Sequence, residues 1–122
     1  MSNKTILTVD DSRTMRDMLR LALIDAGFDV IQAEDGVHGL EVLEGSTPDV
    51  IITDINMPRM DGFGFIEGVR NHARYRGVPI LVLTTESDPA KKDRARQAGA
   101  TGWIVKPFTP TKLVDAIRRV AA

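Results

Sequence analysis

The sequence predicts an α/β domain: a parallel five-stranded sheet wound between two layers of helices. Three observations predict it. Short apolar runs alternate five times with segments whose apolar residues recur at helical spacing. The connections between them are short, which for parallel strands requires right-handed crossovers. The polar residues that interrupt the pattern fall just after an apolar run: Asp10-Asp11, Asp54, Thr84 and Lys106. In an open parallel sheet that is the edge where ligands bind.

Ile6 to Val9 read as a buried strand ending in Asp10-Asp11. Ser12 can cap a helix whose Met15, Met18, Leu19, Ala22, Leu23 and Ala26 share one face, and Gly27 suits its end. Phe28 to Ala33 form a second strand, interrupted by polar residues and so expected at an edge. Asp35 caps a short helix carrying Val37, Leu40 and Leu43, closed by Gly45. Val50 to Thr53 are a third strand that begins as a short apolar run and delivers Asp54 to its carboxyl end, after which Pro58 and Gly62 mark a loop. Phe63, Phe65, Ile66 and Val69 suggest a helix, weakened by Gly64 and Gly68. Pro79 precedes the fourth strand, Ile80 to Leu83, which ends at Thr84-Thr85. Ser87 or Asp88 caps the next helix, with Pro89 in its first turn and Gly99 at its end. Trp103 to Val105 make the fifth strand, and Thr109-Pro110 open a last helix with Leu113, Ala116, Ile117 and Val120 at i, i+3, i+4 and i+7.

The 122 residues suit one domain, expected over 1–122 with no linker, repeat or effector domain. A formal net charge of −1 argues against a general nucleic-acid or membrane-surface binder. Without cysteine there are neither disulfides nor thiolate metal sites. No apolar run approaches a spanning helix, and the N-terminus lacks a signal peptide, so a cytoplasmic location is expected.

Three carboxylates, one hydroxyl and one ammonium converge at the expected site edge. Two like charges about 5 Å apart repel by roughly 3 kcal/mol at an effective dielectric near 20. Asp10, Asp11 and Asp54 therefore call for a cation, and an all-oxygen set without His or Cys suits Mg²⁺. A carboxylate beside Mg²⁺, with Lys106 and Thr84 opposite, suits phosphoryl transfer onto the carboxylate. Asp54 would be the nucleophile, already ionised at neutral pH and needing no general base.

Val9-Asp10-Asp11, Asp54-Ile55-Asn56-Met57-Pro58-Arg59-Met60-Asp61-Gly62, Thr84-Thr85 and Lys106-Pro107-Phe108 together resemble response-regulator receiver domains, across essentially the whole chain. The likeness is to single-domain chemotaxis regulators of the CheY type. It implies a (βα)5 flavodoxin-like three-layer sandwich with strand order 2-1-3-4-5, of which that regulator is itself a standard example. It implies Asp54 as phosphoacceptor, with Mg²⁺ held by Asp11, Asp54 and the Asn56 carbonyl, and by Asp10 through water. It further implies Thr84 and Lys106 on phosphoryl oxygens, a cis peptide before Pro107, and an influence of Asn56 and Glu86 on phosphoryl lifetime. Trp103 stands where the switch aromatic is usually Tyr or Phe, and its indole is bulkier with its donor on the ring. Thr85 is larger than the alanine often found there and is expected to crowd the pocket mouth.

His38 and His72, on helices away from the site edge, are read as ordinary surface or boundary histidines. Lys91, Lys92, Arg94 and Arg96 make a basic helix, either a solvated face or part of an output surface with the fifth strand and last helix. Arg13, Arg16 and Arg20 share one face of the first helix, where a kinase or phosphatase could dock. The expected function is a monomeric stand-alone phosphorylation switch, not an enzyme with a turned-over substrate. A histidine kinase would be the phosphodonor and the flagellar motor switch the partner. The alternatives are a phosphorelay intermediate or phosphate sink, and a phosphohydrolase with an aspartate nucleophile. That last class usually carries a second aspartate two residues on, where this chain has Asn56.

Overall fold

The computed structural model describes residues 3–121. Met1, Ser2 and Ala122, the ends of the expected 1–122 span, lie outside the described residues. In chain order the elements are β1 (Thr5–Val9), α1 (Arg13–Asp25), β2 (Asp29–Ala33), α2 (Gly36–Glu44), β3 (Val50–Thr53), α3 (Gly62–Asn71), a 3-10 turn (Ala73–Tyr75), β4 (Ile80–Thr84), α4 (Pro89–Ala98), β5 (Gly102–Val105) and α5 (Pro110–Val120). The strands form one sheet in the order β2-β1-β3-β4-β5, and every pairing is parallel. This is the flavodoxin-like arrangement, with β2 at one edge as its polar-interrupted sequence implied. Among the described residues no helix is long and apolar enough to cross a membrane.

Strand alternation divides the core between two sheet faces. Ile6 of β1, Val50 and Ile52 of β3, and Leu81 and Leu83 of β4 pack against α1 and α5 through Leu19, Leu23, Leu113 and Ile117. Leu7, Val9, Ile51, Ile80 and Val82 face the other way, onto Leu43 of α2, Phe65, Ile66 and Val69 of α3, and Ala95 of α4. Full burial of each such side chain contributes roughly 1.5–3 kcal/mol, which holds the central strands rigid and fixes the positions of the residues that follow them.

The helices start where the strands end. Ser12, Asp35, Asp61, Asp88 and Thr109 each accept a hydrogen bond from an amide of the first turn of their helix. The cap of α4 is Asp88 and not Ser87. Phe28 precedes β2 instead of belonging to it; its amide donates to the Leu23 carbonyl and its ring joins the α1–α5 core. Gly68, unfavourable by propensity alone, lets α2 approach α3: a Cβ there would lie 2.9 Å from Leu40 Cδ1. His72 is exposed and lies at a helix boundary, just past the end of α3. It sits at the break between α3 and the 3-10 turn, where its Nδ1 accepts from the Arg74 amide at 3.3 Å.

Candidate functional site

Val9 and Thr53 pair in register on adjacent strands, so the residues after them, Asp10 and Asp54, emerge side by side. The Asp54 amide donates to the Val9 carbonyl at 3.0 Å, which fixes the spacing through the backbone. Lys106 follows β5, and its amide donates to the Thr84 carbonyl at 2.7 Å. Its ammonium reaches back across the sheet edge and donates to Asp54 Oδ2 at 2.7 Å and Asp10 Oδ2 at 3.0 Å. Asp11 is exposed, and carboxylate oxygens of Asp10, Asp11 and Asp54 lie within 4.8 Å of one another. The Lys106–Pro107 peptide is cis, as the resemblance implied.

The remaining donors orient the two buried carboxylates. Asp54 Oδ1 accepts from the Ile55 amide at 2.6 Å, and Asp10 Oδ1 from the Ser12 amide at 2.9 Å. Gly62 makes room for the turn behind Asp54, since a Cβ there would lie 2.2 Å from the Asp54 carbonyl oxygen. Burial pushes the Asp10 carboxyl above its ordinary range, opposed by the Ser12 amide and Lys106. Burial also disfavours the Lys106 ammonium, but the hydrogen bonds to Asp54 and Asp10 outweigh it and its pKa is raised. Three carboxylates against one ammonium leave two uncompensated negative charges in one cleft. The donors are all hard oxygens, so the residues fit a divalent cation of the Mg²⁺ type.

Thr84 is fully buried, and its hydroxyl accepts from the Glu86 amide at 3.3 Å. The structure therefore places Thr84 at the site edge but bonded to its own loop, not to Asp54. The half-buried Trp103 indole donates to the Glu86 carbonyl at 3.1 Å, so hydroxyl and indole meet on the two sides of one peptide segment. Asn56 is exposed, with Nδ2 donating to Glu86 Oε1 at 3.2 Å. Thr85, beside Glu86, is exposed.

Three basic residues have partners that their sequence positions did not disclose. Arg16 was read with Arg13 and Arg20 as one docking face, but its Nη1 donates to the Asp10 carbonyl at 2.6 Å; Arg13 and Arg20 remain exposed. Lys91, read as one of a basic row, donates to Glu86 Oε1 at 3.0 Å. Arg94 lies over the Phe63 ring, 4.1 Å from its centroid, and joins α4 to α3.

Residues 6–118 match the model of the response regulator receiver domain. The chain is 41% identical over 117 residues to chemotaxis protein CheY1 of Helicobacter pylori, covering 94% of each. The solved structure of chemotaxis protein CheY4 of Vibrio cholerae superposes with a TM-score of 0.94 at 45% identity, over 98% of this chain and 99% of that one. The receiver domain of sensor histidine kinase PA1611 of Pseudomonas aeruginosa superposes with a TM-score of 0.91 at 26% identity, over 98% of each chain; it was solved with a magnesium ion coordinated in its active-site cleft. With its fold, its acidic cleft and these similarities, the chain belongs to the response regulator receiver domain family and is a receiver of the CheY type.

Proposed function

We propose that Asp54 accepts a phosphoryl group from a phosphohistidine of a sensor histidine kinase, and that this modification switches binding to a protein partner. The observation that carries the reading is the Lys106 ammonium bridging Asp10 and Asp54 beside Asp11. Asp54 attacks phosphorus in line; its new O–P bond forms as the P–N bond breaks, and the imidazole nitrogen leaves with the bonding pair. The Ile55 amide and Lys106 hold the carboxylate for that attack. Lys106 is then within reach of a phosphoryl oxygen, where it neutralises charge. The Thr84 hydroxyl accepts from Glu86, so its own proton is free among the described residues to be donated to another phosphoryl oxygen. Asp11, Asp54 and the Asn56 carbonyl would hold Mg²⁺, with Asp10 through water, and when bound it supplies charge neutralisation to the phosphoryl oxygens.

The output face in this reading is α4–β5–α5. A groove of about 300 Å³ between α4 and β5 is lined by Pro89, Ala95, Ala100 and Trp103 together with Lys92 and the Arg96–Asp93 ion pair, which suits an amphipathic segment. Withdrawal of Thr84 toward a phosphoryl group would loosen the Glu86 segment that Trp103 holds, and so shift the population of this face. Relatives named as chemotaxis proteins favour the flagellar motor switch as the partner; the reading adds a phosphatase as a further partner and a cytoplasmic location. The chain acts here as a stand-alone signalling protein that assists its own phosphorylation, not as an enzyme.

Incubation with acetyl phosphate and Mg²⁺ is expected to add one phosphoryl group, read by intact mass, and none in Asp54→Asn. An equal mass shift in that variant excludes Asp54 as acceptor. Pull-down with motor-switch peptide, with and without beryllofluoride, separates motor output from a phosphate sink: binding that ignores beryllofluoride removes the motor reading.

A further inference from the structure

The loop after Asp54 is held from its far side by an ion pair outside the chemistry described above. Arg59 has φ +63° and is the one non-glycine residue with positive φ among the described residues. L side chains other than Asn and Asp rarely occupy this region, so the surroundings must enforce it. The enforcing contact is bidentate: Arg59 Nε donates to Asp35 Oδ2 at 2.7 Å, and Nη2 to Asp35 Oδ1 at 3.0 Å. Asp35 is only 3% exposed, covered by the half-exposed guanidinium, and is itself immobilised because Oδ1 also accepts from the His38 amide at the start of α2. One residue further along each segment, the Gly36 amide donates to the Met60 carbonyl at 3.2 Å, and a Cβ on Gly36 would lie 2.8 Å from that oxygen.

These contacts tie segment 56–61 at both ends. Its far end is fixed to α2 through Asp35 and Gly36; its near end turns on the Gly62 amide, which donates to the Ile55 carbonyl at 2.8 Å. Between them Asn56 is exposed, and its backbone carbonyl accepts no hydrogen bond among the described residues. An unpaired carbonyl two residues after Asp54 is a ligand whose direction depends on how this segment is held. A cation that binds few protein ligands in strict geometry is sensitive to such direction.

We propose that Arg59 and Asp35 are positioning residues for the divalent cation, setting the Asn56 carbonyl through the strained backbone at Arg59. This rests on the reading of Asp10, Asp11 and Asp54 as a Mg²⁺ site. The pair touches neither the metal nor the reacting atoms. Its effect is therefore expected on metal affinity, not on the phosphorylation rate once metal is saturating.

The test uses the full chain and four variants. Arg59→Gly accepts the positive φ without strain while removing the guanidinium; Arg59→Lys keeps the charge but not the fork; Asp35→Asn keeps an oxygen for the His38 amide; Asp11→Ala reports on the metal site itself. Calorimetric Mg²⁺ titration is expected to give a Kd about tenfold weaker for Arg59→Gly and Asp35→Asn, with Arg59→Lys between them and wild type. The Mg²⁺ concentration for half-maximal labelling by acetyl phosphate should move by the same factor, with the plateau rate unchanged. The metal-free melting temperature of Arg59→Gly should stay close to wild type. Wild-type Mg²⁺ affinity in Arg59→Gly, or a loss of plateau rate and melting temperature together, overturns the proposal while leaving the metal site standing. Failure of the wild type to bind Mg²⁺, or undiminished binding in Asp11→Ala, removes the metal site and the proposal with it.

Discussion

A carboxylate as covered as Asp54, 9% exposed, is sustained by two donors, the Ile55 amide and the Lys106 ammonium. A buried polar atom without such partners costs free energy, and among the described residues one side-chain oxygen is in that position. Thr8 lies in the middle of β1, wholly buried, with no hydrogen-bond partner for its hydroxyl among the described residues. By strand alternation it shares the Ile6 face, which packs on α1 and α5. Thr8→Val, nearly the same shape without the hydroxyl, is expected to stabilise the protein by about 1 kcal/mol, or roughly 4 °C in melting temperature. Thermal unfolding followed by circular dichroism checks this; an unchanged or lower melting temperature would mean that the hydroxyl has a partner, such as a buried water. Because Thr8 lies two residues before Asp10, labelling of the variant by acetyl phosphate should remain at the wild-type level.

Two residues bind whole elements together, one at each edge of the sheet. At the edge opposite the site, Arg70 in the last turn of α3 donates to four backbone carbonyls: Gly99 at 2.8 and 3.0 Å, Val78 at 2.7 Å, Arg76 at 2.9 Å and Tyr75 at 3.3 Å. One guanidinium thus closes α3, the 3-10 turn, the entry to β4 and the end of α4, and burial lowers its pKa. A lysine cannot span these directions, so Arg70→Lys should cost about 2 kcal/mol. In urea the midpoint should fall with an unchanged m-value, and phosphorylation of the folded fraction should be normal. A midpoint equal to wild type would show that the carbonyls are satisfied without the fork. At the site edge the equivalent junction is Glu86, whose amide, carbonyl and carboxylate engage Thr84, Trp103, Asn56 and Lys91. The β4–α4 loop is therefore the point at which β5, α4 and the acidic cleft are mechanically joined.

For the molecule as a whole, the formal charge of −1 conceals a cleft in which three carboxylates face one ammonium. Ligand binding to the native state alone stabilises it by about 2.7 kcal/mol at a hundredfold excess over Kd, so Mg²⁺ should raise the melting temperature by roughly 10 °C at that excess. Asp11→Ala should abolish the rise and, by relieving like-charge repulsion, melt no lower than wild type without metal. A Mg²⁺ response that survives the substitution would place the ion elsewhere. Much of this was legible in the chain itself. The apolar runs, their helical-period partners and the strand-end positions of Asp10, Asp54, Thr84 and Lys106 are local patterns, and sheet alternation converts them into faces and edges without further information. The break at His72, the start of β2 at Asp29, and the partners of Arg16, Arg59, Arg70 and Lys91 were not legible. Those depend on which loop carbonyl or carboxylate a long flexible side chain meets across a gap of 24 residues for Arg59 and Asp35 or 29 for Arg70 and Gly99. Sequence by itself determined the layers, the sheet edge and the chemistry gathered there, because burial and periodicity act locally along the chain. Only the tertiary structure decided which cations brace loops and which remain exposed, because that choice rests on distances between segments that no local pattern encodes.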